Sequence, residues 1–415
     1  MASSAPRSVP AWRILIGGGG AAGLSLALAL TQALGPAIQV TICDPALAQP
    51  RSDERAYAIS PSVARMLDRL GIWPRLAADA QPVTRMTITD SRLDDVPRPA
   101  YLGFGDGVAP LAYMVQADRL AVALLDLCRE AGIGLDAQAI TGFQAAATGL
   151  VATGQDGGLM PASLLVAADG ARSRLRDEAG IAWLGRSYGQ TGIVATVAHR
   201  HPHGGRAIQH FLPSGPFAIL PLVPGRDPER ARSSLVWTER SDAVPALLQL
   251  GPEQLVREIE RRTGPEIGAV TLESGLHTWP LAIGQARRAV AGRFALLGDA
   301  AHQVHPLAGH GLNLALGDVA ALAERIVDAV RLGLDPGAAP VLDAYERDRR
   351  AATLAMAAST DLLNRLFSND NVPIRAIRDL GLGLVDRAAP LKRLFIGEAT
   401  GGTGSAPRLL RGDAL

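Results

Sequence analysis

Three short stretches of this chain combine residue types and spacings that could do chemistry. The first is Gly18-Gly19-Gly20-Ala21-Ala22-Gly23, a G-x-G-x-x-G pattern. Small residues let a backbone turn sharply and approach a pyrophosphate, whose charge then sits at the positive end of the following helix. Such a pattern is weak alone. It gains weight here because it follows a strand, opens a helix, and precedes Asp44 at the end of the next strand. A carboxylate there is placed to accept hydrogen bonds from an adenosine ribose. The plain alternative is a glycine turn for close helix–strand packing; the full context favours a dinucleotide without separating FAD from NAD. The second stretch is Asp169-Gly170 after the apolar run Leu164–Ala168, with Ser173, Arg174 and Arg176 behind it, which alone reads equally as an ordinary turn. The third is Gly298-Asp299 after Phe294–Leu297, followed by His305-Pro306-Leu307-Ala308-Gly309-His310-Gly311-Leu312-Asn313. A strand there sets Asp299 where a flexible polyol can pass. The glycines then make a loop whose N–H groups, at a helix start, can face developing negative charge such as that on a reduced flavin.

The elements that must position these residues follow from periodicity. Trp12–Ile16 reads as a strand, Ala21–Leu34 as a helix and Gln39–Cys43 as a strand. Parallel strands buried on both faces explain why Ile14–Cys43 carries no charge. Gly17–Gly20 and Gly35-Pro36 interrupt that run, which excludes a membrane-spanning helix, and no targeting segment is seen. Helices are predicted over Ser60–Leu70 and Ala117–Ala131, and a buried strand over Ala162–Ala168. Thr84, Met86 and Ile88 alternate with polar neighbours as in a half-exposed strand. Strand-like runs at Gly192–Ala198, Ala207–Leu212, Phe217–Leu222 and Ser234–Thr238, separated by turns such as Pro213-Ser214-Gly215-Pro216, predict an antiparallel sheet inserted at about 185–285. Leu312–Val330 reads as a helix, and after Asp335-Pro336-Gly337 the chain is mostly helical, with a mobile tail from Gly401.

Composition bounds the rest. A chain of 415 residues corresponds to two or three domains at about 100–200 residues each. Hydrophobic residues at 48% and charged residues at 20% exclude a disordered chain. Forty-one Lys+Arg against 40 Asp+Glu leaves a net charge of +1, which argues against a nucleic-acid partner. Two cysteines allow neither a disulfide framework nor a four-cysteine zinc site. His302, His305 and His310 lack a matching carboxylate or cysteine set, so no metal is expected. His199, His201 and His203, beside Pro202 and Gly204-Gly205, read as a solvated hairpin turn. Cys43 reads as a small buried side chain, and Ser173 has no histidine–aspartate partners for a triad.

The three motifs, in this order and spacing, resemble the class A flavoprotein aromatic hydroxylases. More narrowly the chain resembles the ubiquinone-biosynthesis hydroxylases of the UbiH/UbiF/VisC type. That likeness rests on His305-Pro306-Leu307-Ala308-Gly309-x-Gly311-Leu312-Asn313 and on Asp53-Glu54-Arg55-Ala56-Tyr57-Ala58-Ile59-Ser60. Phe211–Pro216 through Leu220-Pro221-Leu222 and Leu366-Phe367-Ser368-Asn369-Asp370 extend it over about residues 12 to 400. His310 departs from it, because the family has Gln there. The resemblance implies an α/β fold: a Rossmann-like FAD-binding domain (12–80, 113–184 and 286–360), an inserted antiparallel β-sheet substrate domain (81–112 and 185–285), a C-terminal helical segment (361–400) and a flexible tail (401–415).

By position, the resemblance gives Gly18, Gly20 and Gly23 the FAD pyrophosphate and Asp44 the adenosine ribose. Arg55 and Gln116 would contact the cofactor near its phosphates and ribityl chain. Asp169 would hold FAD and border the surface visited by a nicotinamide donor, and Asp299 would bind the ribityl hydroxyls. Gly309, Gly311 and Asn313 belong to the flavin loop, and Pro306 with His305 would border the reacting ring as catalytic candidates. As in that family, there is no second G-x-G-x-x-G for a nicotinamide cofactor; the electron donor would be NAD(P)H or a ferredoxin chain. The implied activity is monooxygenation of a polyprenylated phenol by O2 through a flavin C4a-hydroperoxide. The rivals are a related flavoenzyme acting on a small aromatic substrate and a non-catalytic flavin-binding scaffold. The location implied is cytoplasmic. Arg375, Arg378, Arg387, Lys392 and Arg393 among Leu380, Leu382, Leu384, Leu391, Leu394 and Phe395 also suit peripheral contact with a membrane and with other quinone-biosynthesis enzymes, or a helix pair closing over the core.

Overall fold

The computed structural model describes residues 12–49, 53–90, 102–146, 148–225, 227–304, 310–367 and 406–415. Its first layer is a six-stranded sheet in the order β19-β20-β12-β1-β2-β8. These strands are β1 (Trp12–Gly17), β2 (Ile38–Cys43), β8 (Gly134–Asp136), β12 (Leu164–Ala167), β19 (Val290–Ala291) and β20 (Phe294–Leu296). All pairings are parallel except β19 on β20. The registers Ile14↔Leu164, Ile14↔Val40 and Leu165↔Phe294 align the C-terminal ends of four neighbouring strands. Each of those ends carries one of the polar motifs: the glycine loop, Asp44, Asp169 and Asp299. Ligands of open parallel sheets bind in the crevice outside such ends.

Burial on both faces makes these strands apolar throughout. Ile14 and Ile16 pack under α1 (Ala21–Leu34) and α8 (His310–Arg331), while Leu15 and Leu165 pack on the other side with Phe294. That second side is covered by a small sheet of β9 (Ile140–Ala146), β10 (Gly149–Gly154) and β11 (Leu159–Ala162) and by α5 (Arg174–Glu178). Helix α2 (Pro61–Arg69) starts at an N-cap Ser60 whose hydroxyl accepts from the Val63 N–H. Helices α3 (Trp73–Leu76), α4 (Ala117–Glu130) and α9 (Ala339–Phe367) complete the layer.

The second layer is a nine-stranded sheet built from β5 (Arg85–Asp90), β6 (Leu102–Phe104), β13 (Trp183–His199), β14 (Arg206–Leu212), β15 (Gly215–Leu222), β16 (Ala231–Arg240), β17 (Val270–Leu272), β18 (His277–Ala286) and β21 (His302–Gln303). The predicted strands all occur, and the first is far longer than expected because it pairs with three partners. Only β14 with β5 is parallel. Strand β21 follows the Gly298-Asp299 turn directly and pairs with β18, which stitches the two layers together at the motif. One face of the large sheet, with Ile193, Phe217, Ile219, Leu235 and Trp237, packs on Leu255 and Ile259 of α7 (Pro252–Thr263) and on Val244 of α6 (Val244–Leu248). The inner face sets Ala207, Leu220 and Leu222 against Val83 and Met114. Those two lie in a three-stranded sheet of β3 (Ala56–Ile59), β7 (Ala112–Gln116) and β4 (Gln81–Val83).

Two expectations are corrected. His199 does not lie in a solvated turn: it ends β13 fully buried, with Nδ1–H donating to the His201 carbonyl (2.9 Å) and Nε2 accepting from the Ser233 hydroxyl (2.9 Å). Two hydrogen bonds make its burial tolerable, and desolvation holds its pKa down at about 4. Residues 406–415 are not a free tail. They form α10 (Arg408–Arg411), with Leu409 buried against the first layer and Arg408 bonded to Glu324 (2.7 Å) and Asp328 (2.5 Å) of α8. Residues 368–405, which hold most of the expected C-terminal helical segment (361–400) and the start of the expected tail, lie outside the described residues.

Candidate active site

The glycine loop is folded against its neighbours at two positions and open at a third. Gly18 has φ +122°, and a Cβ there would fall 2.2 Å from the Ala168 carbonyl oxygen. A Cβ on Gly23 would fall 2.1 Å from the Gly18 oxygen. At Gly20, by contrast, a Cβ would meet nothing within 4 Å. Gly20 is also the N-cap of α1, with no side-chain cap and no acidic residue in the first turn. Helix N–H groups without a side-chain acceptor, facing open space, form a cradle for an anionic group. Asp44 accepts from the Gly19 N–H (2.7 Å) and the Ala46 N–H (2.8 Å), so it braces the loop and presents its remaining lone pairs outward.

Asp169 accepts from the Leu175 N–H at 3.3 Å, and its neighbour in the motif, Ser173, caps α5 by accepting from the Arg176 N–H. Arg176 is buried and donates to the carbonyls of Ala171 and Ala300, both at 3.2 Å, with its guanidinium 4.3 Å from the Trp183 ring. This one side chain fastens the Asp169 turn to the Asp299 turn.

Asp299 is exposed to solvent, yet desolvation raises its carboxyl above the usual range, with His302 and Arg55 pulling the other way. Both observations fit a side chain lining a cleft, open to water but crowded on most sides. It makes no side-chain hydrogen bond among the described residues. Behind it lies a buried network that the sequence reading missed. Asp318 of α8 accepts from the Gly298 N–H (3.1 Å), pairs with His302 Nε2 (2.5 Å), and accepts from Arg349 Nε of α9 (2.6 Å). Burial alone would raise Asp318, but these cationic and hydrogen-bonding partners hold it down at about 2. The signal available was one acid within the apolar stripe Leu314–Leu322, which must have buried partners.

The register Ala56↔Gln116 brings Arg55 and Gln116 together, with the Ala117 N–H donating to the Arg55 carbonyl (2.8 Å). The Arg55 guanidinium forks onto Asp53 (2.8 and 2.6 Å), which lowers the Asp53 pKa against its desolvation, and lies 5.9 Å from the Trp279 ring of β18. Asn313 uses its whole amide as a bracket, accepting from the Ser60 N–H (2.8 Å) and donating to the Ala58 carbonyl (2.7 Å). It pins the start of α8 to β3, while a Cβ on Gly311 would meet nothing within 4 Å. His305, Pro306 and Gly309 lie outside the described residues. No group of three metal-ligating side chains occurs among the described residues.

A family model described as "FAD binding domain" matches residues 12–360, which contain every element of this crevice. The chain belongs to that family. It is 46% identical over 410 residues to the ubiquinone hydroxylase UbiL of Rhodospirillum rubrum, covering 97% of this chain and 93% of the relative. It is 32% identical to the 3-demethoxyubiquinol 3-hydroxylase of Escherichia coli, covering 94% and 98%. Among solved structures, Klebsiella pneumoniae HpxO complexed with FAD and uric acid shares the fold at a TM-score of 0.72 and 20% identity, covering 95% of this chain and 97% of that one.

FAD fits what the residues offer. The cradle at Gly20 suits a pyrophosphate, and the Asp299 carboxylate, without a side-chain hydrogen bond among the described residues, suits hydroxyl donors of a polyol. Gly18, Gly20, Gly23, Asp44, Asp169 and Asp299 all lie along one edge of the first sheet. Arg55, Gln116, Gly311 and Asn313 gather at its junction with the three-stranded sheet.

Proposed function

We propose that this protein is an FAD-dependent monooxygenase that hydroxylates the aromatic ring of a polyprenylated phenol in ubiquinone biosynthesis. The observation that carries the reading is the alignment, at the C-terminal edge of adjacent parallel strands, of the glycine loop that opens α1 with Asp44, Asp169 and Asp299. The names and coverage of the relatives support the reaction class and a quinone-precursor substrate. FAD, when bound, would supply the two-electron redox chemistry of monooxygenation, in which one atom of O2 goes to the ring and the other to water. The protein's part is to hold, orient and exclude water. The first turn of α1 holds the pyrophosphate, Asp44 the ribose and Asp299 the ribityl chain, each oxygen accepting from a hydroxyl. Gln116 and Arg55 flank the phosphate and ribityl region, and Asp169 borders the approach of the electron donor. The resemblance assigns Gly309 and Gly311 to the flavin loop and makes His305 and Pro306 the candidates for the reacting ring.

NAD(P)H or a ferredoxin chain supplies electrons in this reading. Among the described residues no helix is long and apolar enough to cross a membrane. A polyprenyl substrate resides in a bilayer, so the proposal includes peripheral contact on the inner face of the membrane and with other enzymes of quinone synthesis. The test is complementation of strains blocked at each ring-hydroxylation step, with mass analysis of accumulated intermediates. Rescue at one step is expected. Flavin-loaded protein that rescues none would overturn the substrate assignment.

A further inference from the structure

Strand β14 sends alternate side chains to opposite faces of the large sheet. Ile208 and Leu212 enter the core under α7, and His210, bonded to Thr89 (2.7 Å), points the same way. Ala207, Gln209 and Phe211 therefore face inward, toward the cofactor layer, as the packing of Ala207 on Val83 and Met114 requires. The ladder sets Gln209 between Ile88 of β5 and Ala218 of β15. Val236 of β16 and then Val194 of β13 continue the same row. One carboxamide thus stands in an apolar floor, beside an alanine whose single methyl leaves the floor low.

Gln209 is only 4% exposed. Its carboxamide has no hydrogen-bond partner among the described residues. It is not sealed in, however, unlike the Ser234 hydroxyl on the same face, which is both unpartnered and closed off. A glutamine retained for structure behaves differently: Gln190 on β13 donates to the Ser214 carbonyl at 2.9 Å. An unpaired, nearly buried amide destabilises a fold, so a side chain of this kind in an apolar floor needs a ligand to complete it.

We infer that Gln209 is a substrate-contacting residue whose Oε1 accepts the O–H of the phenol, with the ring lying over Ala218 and Val236. This rests on the hydroxylase reading and adds the residue that recognises the ring oxygen. A site built to pair with a hydroxyl rejects an analogue that lacks it. The test uses flavin-loaded full-length protein, 2-prenylphenol, and its methyl ether 2-prenylanisole, with binding followed by flavin fluorescence. Wild type should bind the phenol at least about tenfold more tightly than the ether. Gln209→Leu should erase that preference while leaving affinity for the ether intact and Tm equal to or above wild type. Gln209→Met, close in shape, should do the same. Retained preference in both variants, or a lowered Tm with phenol affinity unchanged, overturns the inference. Binding of neither probe by flavin-loaded wild type overturns the hydroxylase reading and this inference with it.

Discussion

Asp299 and Asp318 are neighbours with opposite environments, and their substitution should separate cofactor binding from folding. Asp318 is fully enclosed with three partners, so Asp318→Asn leaves Arg349 and His302 uncompensated and should cost about 3 kcal/mol of stability. Asp299 has no such partners and a carboxyl raised by desolvation. Asp299→Asn should therefore leave the Tm of flavin-stripped protein unchanged or higher, while the flavin-to-protein ratio after purification falls several-fold. A drop in stripped-protein Tm equal to that of Asp318→Asn would contradict the division. His199 sets a pH dependence. Its folded pKa of about 4 lies below the ordinary 6.5, so the unfolded chain takes up a proton that the folded state refuses. Stability should fall as pH drops from 6.5 to 4, and His199→Gln should flatten that limb in chemical denaturation while costing stability at neutral pH. Asp318 acts further into acid, its contribution present above 3.8 and lost toward 2. Neither behaviour was legible in the sequence, because burial of a single polar residue depends on which distant strands and helices cover it.

At the scale of elements, the glycine loop offers a sharper test. A methyl at Gly23 collides with the Gly18 carbonyl, whereas one at Gly20 enters open space. Gly23→Ala should yield little folded protein. Gly20→Ala should fold with near-normal Tm when stripped of flavin and bind FAD at least tenfold more weakly, as measured by titration of the stripped protein. The loop, the strands that end in Asp44, Asp169 and Asp299, and the helices α1 and α8 were all readable, because buried parallel strands write themselves as uncharged apolar runs closed by glycine and aspartate. The strand at Thr84–Ile88 was readable too. Its partner was less so, because the parallel pairing of β5 with β14 joins segments more than a hundred residues apart. The Asn313 bracket likewise depends on β3 and α8 meeting, which no local pattern records.

For the whole molecule, the return of residues 406–415 to the first layer ties the chain's end to the helix that begins at the flavin loop. Leu409 is buried between α2 and α8, and Leu409→Ala should cost about 2–3 kcal/mol, measured by denaturant unfolding of the full-length protein. A free end, which the run of glycine and serine before it suggested, would make the substitution silent. The large sheet carries a different lesson. Its β5 and β6 leave the chain ahead of β7 and α4, and its remaining strands arrive only after β12. A gene fragment cut at 183 and 286 would thus lack an edge, exposing the unpaired backbone of β14 to any passing strand. During synthesis on the ribosome, β5 emerges long before the strand it pairs with, and must wait unpaired or shielded until β14 follows it out.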